Sequence, residues 1–190
     1  MVQHLHVLVE GQTEEIVAQE IILPYFSTAD VRVTWSIHKT KRPAVGPAHK
    51  GGLSHWPKLY QELRLLLRDS SITLLTTIFD YYAFPIDAPG MADRPQGSPY
   101  DRVQHVENAI AEAIADRRFL PKMVQQELGP ELVDDGWATS PSKRILNAYP
   151  RYRKTIDGPL VIADAGLDSM RRSCPHSDDW LENVEARLLD

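Results

Sequence analysis

The sequence predicts an α/β domain: a parallel sheet of about four strands flanked by helices and closed by a C-terminal helical cap. Three observations predict it. Short apolar, β-branched runs alternate with segments of helical periodicity over residues 1–128. One of these runs, Ile72 to Phe79, is nearly continuous in apolar and β-branched residues, as a strand buried on both faces of a parallel sheet requires. Beyond residue 139 the pattern is helical only.

Taken in order, Leu5, Val7 and Val9 make a first strand that runs into Glu10 and Gly11, and Thr13 is placed to cap a helix over about Glu14 to Phe26. Val31 to His38, β-branched and aromatic, is the second strand. Pro57 opens the next helix, which carries Leu59, Leu63, Leu66 and Leu67. The third strand, Ile72 to Phe79, ends at Asp80. From about Tyr100 to Arg117, a helical stripe collects Val103, Val106, Ile110, Ala113 and Ile114, and Phe119 to Val124 forms a short fourth strand. From Ser142 onward, Pro150, Gly158 and Pro175 divide the chain into about three short helices. The Pro- and Gly-containing segments 40–52 and 85–99 read as long loops, a length at which loops often carry function.

A chain of 190 residues supports one hydrophobic core, so residues 1–128 and the extension 139–190 are expected to form a single domain. Its formal charge of −5 offers no overall attraction to a polyanion, and any nucleic-acid contact has to be local. The single Cys174 rules out an intramolecular disulfide, and the N-terminus lacks the basic start and unbroken apolar run of a signal peptide. A reducing cytoplasm is the expected location. No segment approaches the roughly 20 apolar residues of a membrane span.

Ligands of parallel sheets bind at the carboxyl ends of the strands. Glu10 and Asp80 stand at two such ends, with Glu127 shortly beyond a third, and carboxylates gathered there suit a hard divalent cation, Mg²⁺ or Mn²⁺. Such an ion activates water and neutralises charge during attack on a phosphodiester. Glu14 lies one helical turn after Glu10, while Glu15 has the simpler role of complementing the helix N-terminus. Lys50, Gly51 and Gly52 precede a helix and are read either as a phosphate-holding turn or as a plain loop, since Walker spacing is missing. Lys143, Arg144, Arg151, Arg153 and Lys154, interleaved with Tyr149 and Tyr152, read either as a phosphate- and base-contacting patch or as a solvated helix face. His4 and His6 share a strand face but lack Cys or His partners at zinc spacing. Neither a GxSxG elbow nor a GxGxxG fingerprint occurs.

Six motifs carry a family resemblance: VEGQTEE at 9–15, KGGLSHWPKL at 50–59, IFDYYAFPIDAPG at 78–90, FLPKMVQQEL at 119–128, TSPSKRI at 139–145 and CPHSDDWL at 174–181. Together, over nearly the whole chain, they resemble the Toprim-like domain-of-unknown-function family 4276. The wider Toprim group includes topoisomerases, primases and OLD-type nucleases, which use a first-strand Glu and later acidic residues with Mg²⁺ for phosphodiester chemistry. The resemblance therefore implies a Toprim-like sheet and a metal-dependent nuclease in which Glu10, Asp80 and Glu127 serve catalysis, with Glu14 beside them. It also implies an ATPase partner and a role in defence against phage.

The chain departs from the pattern in three places. Tyr82 stands where a Toprim motif has a second Asp; around Glu127 only that one acidic residue remains; and the segment Leu128 to Ser140 is short. Two functions follow as expectations. One is a Mg²⁺-dependent nuclease or phosphoryl-transfer subunit with Lys50, Lys143 and Arg144 on the phosphate backbone. The other is a non-catalytic binding or adaptor module whose metal site has degraded.

Overall fold

A computed structural model describes residues 2–28, 30–38, 53, 55–81, 84–124, 141–153 and 156–189. Strands β1 (Gln3–Val9), β2 (Val31–Ile37) and β3 (Leu74–Asp80) form a parallel sheet. The place of a fourth strand is shared by two short pieces, β4 (Phe119–Leu120) and β5 (Met123–Val124), both parallel to β3. The strand expected over 119–124 is interrupted at Pro121, which has no N–H to give to a ladder. Thr77 Oγ1 takes over there, accepting the Lys122 N–H at 2.9 Å and donating to the Lys122 carbonyl at 3.0 Å.

The strand order is β2-β1-β3-β4. The chain leaves β1 for one side of the sheet and returns to the other side with β3, so the crevice between β1 and β3 is a topological switch point. Both strands are buried along nearly their whole length, as central parallel strands covered on two faces must be.

One face packs Leu8, Leu75 and Phe79 against α3 (Trp56–Leu66) and α4 (Pro99–Ile114). The other packs Leu5, Val7, Val9 and Ile78 against the helical run after β1 and against α8 (Pro175–Leu189). That run begins as α1 (Gln12–Val17), widens into a π-helical turn over Ala18–Ile22 and ends as α2 (Leu23–Phe26). Pro24 lacks the N–H that an α-helix would aim at the Glu20 carbonyl, and the wider turn accommodates that missing bond.

Several local expectations are corrected. Gly11, not Thr13, occupies the N-cap of α1, and no side chain caps it; the helix starts at Gln12, so Thr13 already lies within the first turn. Gly11 has φ −155°, extended backbone that any residue adopts. In α4 the buried stripe is Val103, Val106, Ile110 and Ile114, with Glu107 among them, whereas Ala113, expected on it, is exposed. The helix is opened by a reciprocal Ser98–Asp101 capping box and stops at Ile114, where Ala115 turns left-handed at φ 52°.

The C-terminal part holds α5 (Pro141–Ala148), α6 (Asp157–Ala165), α7 (Leu167–Ser173) and α8, more pieces than expected. Gly158 sits inside the first turn of α6 and breaks nothing; Gly166, at φ 73°, divides α6 from α7. Far from being an appendage, α8 closes the second face of the sheet through Trp180, Leu181, Val184 and Leu188. Among the described residues, no helix is long and apolar enough to cross a membrane.

Candidate functional site

The apolar run of β1 ends at Val9, and the next residue turns its side chain across to β3. Glu10 Oε2 accepts the backbone N–H of Asp80 at 3.0 Å, and the Glu10 N–H is given to the Ile78 carbonyl at 3.3 Å. Adding the span from a backbone nitrogen to its own side-chain carboxyl carbon, the two carboxyl groups lie within roughly 7 Å of each other. Glu14, on the first turn of α1, folds back over Gly11: a Cβ placed there would meet Glu14 Oε2 at 3.4 Å. Glu10 is thus tied to the Asp80 backbone at the switch point of the sheet, and Asp80 and Glu14 both line the cavity beside it.

Glu15 turns elsewhere. Its Oε1 accepts from Trp35 Nε1 and Gln19 Nε2, both at 3.4 Å, a side-chain tie between α1 and β2. His4 and His6 lie buried in a polar seam on the sheet, bonded to Thr34 at 2.7 Å each, with His6 also bonded to Ser36 at 2.9 Å. Burial, reinforced by neighbouring His4, pushes the His6 imidazole down to about 4, and burial together with Arg32 lowers His4.

A cavity of about 180 Å³ opens beside the acidic residues. Its polar edge is formed by Thr13, Glu14, Asp80, Lys122 and Ser177. Its floor is apolar and includes Ile21, Ile78, Ile162, Met170 and Trp180. The indole of Trp180 is held by donating its Nε1–H to Thr76 Oγ1 at 3.0 Å.

Lys122, only 4 % exposed, is the cation of this site and was not singled out by the sequence motifs. Its Nζ donates to the His176 carbonyl at 2.8 Å. Around it, Glu107 receives the Met123 N–H at 2.7 Å and His176 Nε2 at 3.0 Å, which joins α4, β5 and α8. Tyr100 packs edge-on against the His176 ring and donates to Asp179 Oδ2 at 3.1 Å. The available signal was chemical: a lysine inside the apolar run FLPKMV, and a histidine in CPHSDDWL, both within motifs that already stood out.

The remaining predicted residues are not gathered here. Lys50, Tyr82, Glu127 and Lys154 lie outside the described residues. Lys143 and Arg144 belong to α5, but their side chains lie outside the description. Of the neighbouring cations, Arg153 pairs with Asp157 at 3.1 Å, which tethers it to the start of α6. Among the described residues no three His, Cys, Asp or Glu side chains converge as a metal site. The oxygen donors at Glu10 and Asp80 nevertheless suit Mg²⁺, which commonly takes one or two protein carboxylates and completes its shell with water and substrate phosphate.

A family model described as Domain of unknown function (DUF4276) matches residues 9–129 and 125–185. The two matched pieces meet at 125–129, beside the segment read above as shortened. No curated protein and no solved structure matched the chain.

Proposed function

The chain belongs to the family described as Domain of unknown function (DUF4276), and on that footing we propose a Toprim-like, Mg²⁺- or Mn²⁺-dependent nuclease or related phosphoryl-transfer subunit acting on nucleic acid. The observation that carries the proposal is the bond from the Asp80 N–H to Glu10 Oε2, which joins two strand-end carboxylate residues at the switch point. Glu10 and Asp80, with Glu14 beside them and Glu127 as a further oxygen donor, are the residues to hold the ion. When bound, the cation supplies charge neutralisation at the phosphodiester and activation of water.

The chain's own groups have distinct tasks. Glu10 fixes the Asp80 backbone and offers a carboxylate to accept a proton. Lys122 and Ser177, on the same cavity edge as Asp80, present hydrogen-bond donors to the part of the substrate that enters the cavity. Lys50, Lys143 and Arg144 steady phosphates farther along the strand. An ATPase partner and a role in phage defence complete the proposal, and they rest on the Toprim-like resemblance alone.

A second reading, a non-catalytic binding or adaptor module, is favoured by one specific observation: the space beside Asp80 is floored mainly by apolar side chains. Incubation of single- and double-stranded DNA and RNA with the protein and Mg²⁺ or Mn²⁺ separates the two. The nuclease reading predicts cleavage that Glu10→Gln and Asp80→Asn abolish. Cleavage that survives both substitutions removes the site, and binding without cleavage supports the module.

A further inference from the structure

The cavity beside Asp80 is larger and more apolar than a carboxylate-held ion requires. Ion coordination needs oxygen donors, yet most of the wall is Ile, Leu, Met, Val and Trp side chain. Its volume of about 180 Å³ is below that of pockets for drug-sized ligands, which start at about 300 Å³. Apolar cavities of about 150 Å³ take up a single benzene-sized ring. The occupant suited to this space is one planar ring system, with a polar group directed to the edge where Asp80, Lys122 and Ser177 stand.

We propose that the cavity receives a single unstacked nucleobase of the nucleic acid whose phosphate lies at the Glu10–Asp80 crevice. This deepens the nucleic-acid reading above and rests on it. Four features of the site carry the inference. The cavity shares Asp80 and Glu14 with the acidic crevice, so a nucleotide can span both with its phosphate outside and its base within. Trp180 supplies an aromatic surface whose orientation is fixed by its bond to Thr76, and base stacking on a held aromatic ring is the usual sequence-tolerant contact to single strands. The polar edge contains a carboxylate acceptor in Asp80 and donors in Lys122 and Ser177, the complement needed to meet the hydrogen-bonding edge of a base. The floor is built by α1, the π-helical turn, α6, α7 and α8, so the C-terminal helices, which contribute no acidic ligand, acquire a role in substrate selection. A base removed from a duplex loses its stacking, so the substrate class is single-stranded or end-frayed nucleic acid.

The test uses the full chain without added metal, so that it does not depend on cleavage. Methyl and indole NMR spectra are recorded during titration with deoxynucleoside monophosphates, with deoxyribose 5-phosphate and with inorganic phosphate. The proposal predicts shifts at the Ile21, Ile78 and Ile162 methyls and the Trp180 indole N–H with the nucleotides, and none at those positions with the two base-free probes. Leu167→Trp, which fills the cavity from a half-buried position, should abolish the shifts while leaving the Leu59 and Leu63 methyls on the opposite face unchanged. A short single-stranded oligonucleotide should lose about tenfold in affinity when one nucleotide is made abasic. Equal responses to nucleotides and base-free probes, or none, overturn the proposal. Base-dependent shifts in a protein that never cleaves would leave the pocket standing and remove only the nuclease reading.

Discussion

Glu107 sits in the middle of a helix on a stripe otherwise made of Val and Ile, is 6 % exposed, and accepts two bonds from other elements. Replacing it with Ala leaves the buried Met123 N–H without its acceptor and deprives His176 Nε2 of its partner. A hydrogen bond to a charged acceptor contributes about 1.5–3 kcal/mol, and an orphaned buried donor costs about 1–3 kcal/mol. Losing both bonds is expected to cost about 2–4 kcal/mol. Against a total stability of about 5–15 kcal/mol this is large, and urea unfolding at pH 7 reads it directly as a lower midpoint. Glu112→Ala, at an exposed position on the same helix, is the control and should stay within about 0.5 kcal/mol. Glu107→Gln keeps an acceptor for the Met123 N–H and should fall between the two. A loss below about 1 kcal/mol for Glu107→Ala would refute the argument that this carboxylate holds β5 and α8 together around Lys122.

Other consequences follow from the same packing. His6 is depressed to about 4 in the folded chain, so the unfolded chain takes up a proton first as pH falls. Its contribution is fully present above about pH 6.5 and drains away between pH 6.5 and 4, by about 3 kcal/mol at most; His6→Asn should flatten that part of the stability profile measured by urea unfolding, and an unchanged profile would contradict the assignment. Ala115 ends α4 in a left-handed conformation, so Ala115→Gly should raise stability by about 1 kcal/mol, read as a higher melting temperature; a decrease would show that the turn is not strained. Gly11→Ala should be tolerated, because its backbone is extended and the nearest atom to a new Cβ is the side-chain oxygen of Glu14 at 3.4 Å; a melting temperature lowered by more than about 5 °C would argue otherwise.

Much of the fold was legible because parallel strands leave a strong local mark. The run Leu74 to Phe79 is buried at every position, and its sequence says as much without any partner being known. The strand-end positions of Glu10 and Asp80 were legible for a related reason, since a carboxylate closing an apolar strand marks the carboxyl edge of the sheet. What could not be read were properties decided by distant contacts. Lys122 and His176 are 54 residues apart, and only the docking of α8 brings the His176 carbonyl to the ammonium. Glu107 stands within a helical stripe of Val and Ile, and its role is decided by partners in β5 and α8. Gly158 and Gly166 carry the same side chain, yet only Gly166 adopts the positive φ that ends a helix. Thr13 has the chemistry of an N-cap but stands inside the helix, because the turn after β1 is completed two residues earlier.

The central claim is that Glu10 and Asp80 form the heart of a divalent-cation site, and Mn²⁺ binding followed by electron paramagnetic resonance tests it most directly. The account predicts that the wild-type chain removes free Mn²⁺ from solution, that Mg²⁺ competes for the site, and that Glu10→Gln or Asp80→Asn weakens binding at least tenfold while each variant still unfolds cooperatively. Mn²⁺ binding of equal strength in the wild type and both variants, or none in the wild type, would contradict it.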